Sequence, residues 1–303
     1  MPAQQGAGAA TGPSGENGAR HVAHGPRGPI SDRPARPGSE PGRLEAAQVR
    51  AMFDGIAGVY DLLNTAMTAG LHHRWRARAA DLARVARGSR VLDVATGTGD
   101  LAIELAERVA PDGEVVGSDF AEGMLARAHA KVAARPGLVV RPRFEWGDAL
   151  ALPYDDDAFD ATTVGFGARN FSDLGRGLAE MVRVVRPGGR VVVLEITTPT
   201  RPPLSMFYAV WFDRVVPVLG RAAQLLGRAL SLLRRSSRAG ASDGEVTIAD
   251  AYAYLPSSVK RFPAPAQLAA ELERAGLVDI AYVLVAGGIV AIHAGTVAER
   301  RPG

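Results

Sequence analysis

The stretch Val91-Leu92-Asp93-Val94-Ala95-Thr96-Gly97-Thr98-Gly99-Asp100 decides the fold. A short apolar run from Arg90 to Val94 reads as a buried strand. It passes through a glycine-rich turn into a helix that begins near Asp100. Glycines at such a junction let the backbone approach a ligand without a Cβ in the way. The helix N-terminus beyond them offers free N–H groups to an electronegative partner. Asp93, Gly97, Thr98 and Gly99 are therefore candidate ligand contacts.

Working outward, short apolar runs alternate with helices. Glu114–Ser118 reads as a second strand, with a helix from about Glu122 to Ala134. Val139–Trp146 reads as a third strand and Phe159–Val164 as a fourth. A helix over about Asp173–Val185 and a strand over Arg190–Glu195 follow, separated by the Pro187-Gly188-Gly189 turn. This β-α alternation predicts an α/β, doubly wound, mostly parallel sheet with right-handed crossovers. Asp119 closes the second strand about 20 residues after the glycines, where a carboxylate can accept both hydroxyls of a ribose; a helix N-cap is the plainer role for it. Gly97-x-Gly99-x-x-Ala102 also fits the dinucleotide fingerprint. The loop by itself leaves a methyltransferase and an NAD(P)-dependent oxidoreductase on equal terms.

The flanks differ in character. Residues 1–44 are rich in Gly, Pro, Ala and Arg and poor in large apolar side chains, the composition of a disordered tail. Residues 45–297 carry the periodic pattern of one domain, and 298–303 read as a frayed terminus. From Ala46 to about Arg87 the spacing predicts an N-terminal helical region, with Val49, Met52, Phe53 and Ile56 on one side. A helical lid insertion is expected over about 200–250, interrupted at Pro217. A terminal strand pair, Ile280–Val285 and Ile289–Ala294, meets at Gly287-Gly288.

Of 303 residues, 47% are hydrophobic and 22% charged, ordinary values for a globular enzyme. The absence of cysteine excludes disulfides, thiolate metal sites and cysteine nucleophiles. No run is long enough to span a bilayer and no secretory h-region is seen, so a cytoplasmic enzyme is expected. The net charge of +3 hides a patch: Arg221, Arg228, Arg234, Arg235 and Arg238 occur without an acidic residue among them. A local patch argues against nucleic acid as partner, which asks for a broad basic face. On an apolar stretch it reads as a peripheral contact with the inner membrane surface.

Three further segments discriminate between the readings. Gly147-Asp148-Ala149-Leu150-Ala151-Leu152-Pro153, Asp157-Ala158-Phe159-Asp160 and Arg183-Val184-Val185-Arg186-Pro187-Gly188-Gly189 occur in that order. The set resembles class I, Rossmann-like S-adenosylmethionine-dependent methyltransferases over roughly residues 90–196. That resemblance implies a seven-stranded sheet and S-adenosylmethionine as cofactor, with Asp148 and Ala149 flanking the adenine. For Asp148 the plainer role is closing a loop turn.

More specific still are Phe53-Asp54-Gly55-Ile56-Ala57, Tyr60-Asp61-Leu62-Leu63-Asn64, Gly165-Phe166-Gly167-Ala168-Arg169-Asn170, Asp250-Ala251-Tyr252-Ala253-Tyr254-Leu255-Pro256 and Ala286-Gly287-Gly288-Ile289-Val290-Ala291-Ile292-His293. Over about residues 48–297 these resemble the ubiquinone/menaquinone biosynthesis C-methyltransferase family. The resemblance implies C-methylation of a prenylated quinol, foremost demethylmenaquinol to menaquinol. A bifunctional ubiquinone role and another phenolic or lipid acceptor stand as alternatives. The chain departs from the family at Gly165, where a small or hydroxyl residue often contacts the cofactor, and between Gly220 and Asp250, where it is longer.

Methyl transfer to a ring carbon needs a neighbouring phenolate, held in line with the donor and stabilised by a cation; no metal is required. Arg169 is the candidate stabiliser, its plainer role being a structural pair with Asp61 or Asp173. Asn170 is a candidate hydrogen-bonder to a quinol oxygen and Tyr60 a candidate wall of the ring pocket. His73 and His293 are candidate bases, histidine being the side-chain type suited to proton transfer near neutral pH, though lone histidines more often serve as structural hydrogen-bonders. Met206, Phe207, Tyr208, Val210, Trp211 and Phe212 read as a channel for a polyprenyl tail; the same segment reads equally as a lid or homodimer contact.

Overall fold

The fold was analysed in a computed structural model, which describes residues 46–57, 60–200, 202–203, 205–206, 214, 218 and 248–299. The tail, the arginine patch and nearly all of the channel segment lie outside these residues.

Three helices, α1 (Ala46–Ile56), α2 (Tyr60–Thr68) and α3 (Leu71–Leu82), precede the sheet. The helical region expected as one stretch is broken at Ala69 and Gly70, both with positive φ. Then follow β1 (Arg90–Val94), α4 (Asp100–Val109), β2 (Glu114–Asp119), α5 (Glu122–Ala133), β3 (Arg143–Trp146), β4 (Phe159–Gly165), α6 (Leu174–Arg183) and β5 (Val185–Ile196). Later in the chain come α7 (Ile248–Arg261), α8 (Pro265–Arg274), β6 (Leu277–Val285) and β7 (Val290–Val297), and the insertion expected over about 200–250 lies mostly outside the described residues.

The seven strands lie in the order β3-β2-β1-β4-β5-β7-β6. β1 to β5 pair in parallel, and β7 runs antiparallel to both β5 and β6. The period-two alternation of the strands divides two cores. Val91, Val115, Ala161, Val192 and Leu194 face α3, α4 and α5. Leu92, Val94, Val116, Val164, Val191 and Val193 face α6 and α8. Covered on both faces, the inner strands such as β1 and β2 read as continuous apolar runs rather than alternating ones. Each fully buried leucine or phenylalanine of these layers, such as Leu92 or Phe159, contributes about 1.5–3 kcal/mol relative to exposure.

Two boundaries differ from expectation. β3 begins only at Arg143, because Pro142 has no N–H for the ladder and the preceding residues bend away. The Pro-Gly-Gly turn is part of β5: the register steps from Phe159–Val185 to Ala161–Arg190, so the segment bulges out of the ladder. A Cβ on Gly189 would lie 2.6 Å from the Asp160 carbonyl oxygen, which explains the glycine. The helix before it is N-capped by Asp173, whose side chain accepts from Arg176 N–H at 2.9 Å. Among the described residues no helix is long and apolar enough to cross a membrane.

Candidate active site

The strand order reverses at β1, where β2 and β4 lie on opposite sides and their connecting helices on opposite faces. Parallel sheets open a crevice at this point, outside the carboxyl ends of the strands. A cavity of about 160 Å³ occupies it. Trp146 ends β3 and Asp148 follows it, Asp119 ends β2 and Phe120 follows it, Asp93 lies near the end of β1 and Gly97 follows it, and Gly165 ends β4 and Phe166 follows it; all line the cavity.

The β1–α4 loop is held in a shape few residues adopt. Ala95, Gly97 and Gly99 all have positive φ, at 49°, 57° and 80°. The space where a Gly97 Cβ would sit is empty within 4 Å, whereas a Cβ on Gly99 would lie 2.6 Å from the Phe144 ring. Gly97 therefore keeps the cavity open, and Gly99, which is not among the lining residues, lets α4 pack on β3. Asp119 locks the loop from below: its carboxylate accepts from Gly97 N–H at 2.8 Å and from Ala121 N–H at 2.9 Å. Burial pushes its pKa up, partly offset by those backbone bonds and one from Phe120. With three backbone N–H bonds accepted, the carboxylate retains acceptor capacity for a ligand hydroxyl.

Asp93 is almost fully buried and accepts from the Thr96 and Thr163 hydroxyls at 2.6 and 2.7 Å. Burial pushes its pKa up to about 6, the threonines and Arg76 pulling the other way. Thr98 lines the cavity, but its hydroxyl donates to Asp61 of α2 at 2.6 Å. Lys131 joins this cluster, 2.9 Å from Asp61 and 2.5 Å from Asp100. Asp148 accepts from Leu150 N–H at 2.9 Å, closing its own turn beside the cavity, and Ala149 follows it on the wall.

The expected acceptor-side residues separate. Asn170 lines the cavity, and its buried Oδ1 has no hydrogen-bond partner. Arg169 does not line it. Its guanidinium is drawn back onto Glu195 at 2.7 Å and onto the Phe166 carbonyl. The partner is thus neither Asp61 nor Asp173. Tyr60 opens α2, but its side chain lies outside the described residues, as do those of Tyr252 and of the channel residues Phe207 to Phe212. His73 is exposed, and His293 is buried in β7 donating Nε2–H to the Pro265 carbonyl at 2.8 Å. Neither lines the cavity.

Arg76 is a lining residue that reading along the chain did not single out. It lies on α3 with His72, Ala79 and Ala80 as the buried residues of that helix. A lone arginine at helical spacing within an apolar stripe was the available signal. It pairs with Asp100 at 3.1 Å, bonds His72 Nδ1 and stacks on Phe166 with its guanidinium carbon 5.7 Å from the ring centre. Burial pushes Asp100 up, but Arg76 and Lys131 outweigh it and hold its carboxyl below the usual range. His72 is lowered to about 4 by burial and the neighbouring Arg76, and is neutral at pH 7.

A seven-stranded sheet in this order, with its crevice between the carboxyl ends of β1 and β4, defines a class I, Rossmann-like methyltransferase fold. Solved structures agree on the fold: the 4+2 cyclase SpnF superposes with a TM-score of 0.55 at 20% identity, covering 84% of this chain and 97% of that one. The methyltransferase in complex with the Haloferax volcanii Trm112 activator gives 0.53 at 15% identity, covering 82% and 98%.

Residues 42–238 and 244–297 match the ubiE/COQ5 methyltransferase family, and the chain belongs to it. It is 48% identical to the demethylmenaquinone methyltransferase of Thermus thermophilus, over 80% of this chain and 99% of that protein. It is 45% identical to the protein of the same name from Deinococcus radiodurans, over 75% and 84%. It is 39% identical to the ubiquinone/menaquinone biosynthesis C-methyltransferase UbiE of Geobacter sulfurreducens, over 82% and 88%. The choice that the glycine loop left open is thereby decided for a methyltransferase. Within the long segment between Gly220 and Asp250, only 239–243 fall outside the family match.

Proposed function

We propose that this enzyme binds S-adenosylmethionine in the cavity and methylates a ring carbon of demethylmenaquinol. The observation that carries this reading is the 48% identity, over nearly the whole length, to a protein named for that substrate. The cavity's residues fit the cofactor. Gly97 leaves room for it, Asp119 can accept from ribose hydroxyls, and Asp148 stands by the third strand, where an adenine amine would be met. Ala149 and Gly165 add little bulk to the wall. Asp93, when ionised, faces a ligand ammonium.

When bound, S-adenosylmethionine supplies the electrophilic methyl group. The protein's share is orientation, water exclusion and charge. Asn170 has a buried amide oxygen free to accept from a ring hydroxyl, and so to fix the face the ring presents. Arg169, on the same turn, holds that turn against β5 through Glu195 and lends its positive field to the developing phenolate. Tyr60 completes the ring pocket on this reading. The prenyl tail would follow residues 204–238 outward, with the arginines resting at the inner membrane surface of a cytoplasmic enzyme. A homodimer contact is the other use of that segment.

The test is transfer of labelled methyl from S-adenosylmethionine to reduced short-chain demethylmenaquinone, with the oxidised quinone and a demethylated ubiquinone precursor in parallel. Label in the reduced naphthoquinol alone is expected. Label in the ubiquinone precursor as well would make the enzyme bifunctional, and label in neither quinol would overturn the substrate assignment.

A further inference from the structure

Four carboxylates line the cavity, those of Asp93, Asp100, Asp119 and Asp148, and Arg76 is the single arginine or lysine among the lining residues. An anionic group on a ligand meets repulsion everywhere except at Arg76. The order of the strands fixes which end of an extended ligand arrives there. Asp148 follows β3, Asp119 ends β2, and Arg76 lies across the β1–α4 junction, paired with the first residue of α4 and stacked on Phe166 after β4. A ligand with its base by Asp148 and its ribose by Asp119 extends its far end to Asp93 and Arg76.

We propose that Arg76 receives the α-carboxylate of S-adenosylmethionine, an assignment that rests on the reading of this cavity as that ligand's site. The two polar contacts of Arg76 among the described residues, a hydrogen bond to His72 and an ion pair with Asp100, both use Nη1. Nε and Nη2 form none among the described residues and are the donors available to a carboxylate. The guanidinium is fixed in advance. Its side chain is 7% exposed, its plane is backed by Phe166, and His72 accepts from it while bonded to Thr65 Oγ1 at 3.1 Å. Little side-chain entropy remains to be lost on binding. The ammonium on the same carbon falls to Asp93, so the two charged groups of the amino acid meet opposite charges on neighbouring elements.

The experiment is calorimetric titration of the full chain with S-adenosylhomocysteine and with 5′-methylthioadenosine, which keeps the adenosine and sulfur but lacks the amino acid. Arg76→Met should weaken S-adenosylhomocysteine about ten- to a hundredfold, the range for a charge-assisted hydrogen bond, and leave methylthioadenosine within about twofold. Arg76→Lys should recover part of the loss. Equal weakening of both ligands would show that Arg76 only supports the cavity wall, and no weakening would overturn the assignment outright. A second comparison needs no variant: the wild-type protein should bind decarboxylated S-adenosylmethionine more weakly than S-adenosylmethionine by a similar factor, and equal binding overturns the proposal. A wild-type protein that binds none of these ligands rejects the cavity reading itself, a result seen before any variant is made.

Discussion

The Arg169 guanidinium lies 2.7 Å from the Glu195 carboxylate, and the two side chains are 7% and 1% exposed. This pair ties the turn that carries Asn170 to the end of β5, and the Arg169 backbone N–H adds a bond to the same carboxylate at 3.2 Å. Removing one partner of a buried ion pair leaves a charge without compensation, at about 3–5 kcal/mol. Glu195→Gln should therefore lower the melting temperature by roughly 10 °C, at about 2–4 °C per kcal/mol for a domain of this size. The double variant Arg169→Leu/Glu195→Leu should recover much of that loss. Thermal melts of the two single variants and the double variant check the coupling.

The two loop glycines should fail differently. Gly97→Ala places a methyl group in open space at positive φ, so it costs about 1 kcal/mol of stability while obstructing the ligand. Gly99→Ala meets the Phe144 ring as well as the backbone strain, so it should cost about 2–4 kcal/mol. Denaturant unfolding combined with S-adenosylhomocysteine titration separates them. Gly97→Ala should lose affinity by more than tenfold with its fold intact, whereas Gly99→Ala should lose stability first.

Ligand affinity should fall as the medium is acidified through pH 6. Burial raises the Asp93 pKa to about 6, with Arg76 and Asp119 the charged groups acting on it. Above that pH the carboxylate is ionised and attracts an ammonium; below it the attraction disappears. S-adenosylhomocysteine should bind up to about tenfold more weakly per pH unit below 6. Asp93→Asn should bind weakly at pH 7.5 and show a flatter profile from pH 5 to 7.5.

Acidification also lowers stability, through His72. Its pKa is lowered to about 4 by burial and by Arg76 from the ordinary 6.5. The unfolded chain therefore binds the proton first, and the stability due to a neutral His72 is complete above about pH 6.5. It is lost progressively as pH falls toward 4. His72→Asn keeps an acceptor for Arg76 but does not titrate. The difference in unfolding free energy between wild type and variant, measured from pH 4 to 7.5, should slope upward with pH. A flat difference would rule His72 out as the cause.

Much of this protein is legible in its sequence. The sheet could be read because strands covered on both faces must be continuous apolar runs, and because a parallel sheet forces a helix between each pair. The shape of the β1–α4 loop could be read for the same local reason: Gly97 and Gly99 permit backbone angles that other residues resist. The reach of β3 and the course of β5 through Pro187-Gly188-Gly189 were less visible, since a bulge is set by what the neighbouring strand will pair with. The partner of Arg169 was decided only in three dimensions. Asp61 and Asp173 were the reasonable choices nearby in the pattern, but Glu195, 26 residues on, is delivered by the β4–β5 pairing. Arg76 left only its helical spacing within the buried stripe of α3 as a sign, and that spacing does not say which cavity or which charges it meets. Local backbone preference and hydrophobic period are written along the chain, so the sequence determined the elements and the loop. Which charges meet depends on residues brought together from distant positions, so only the tertiary structure decided the electrostatics of the cavity.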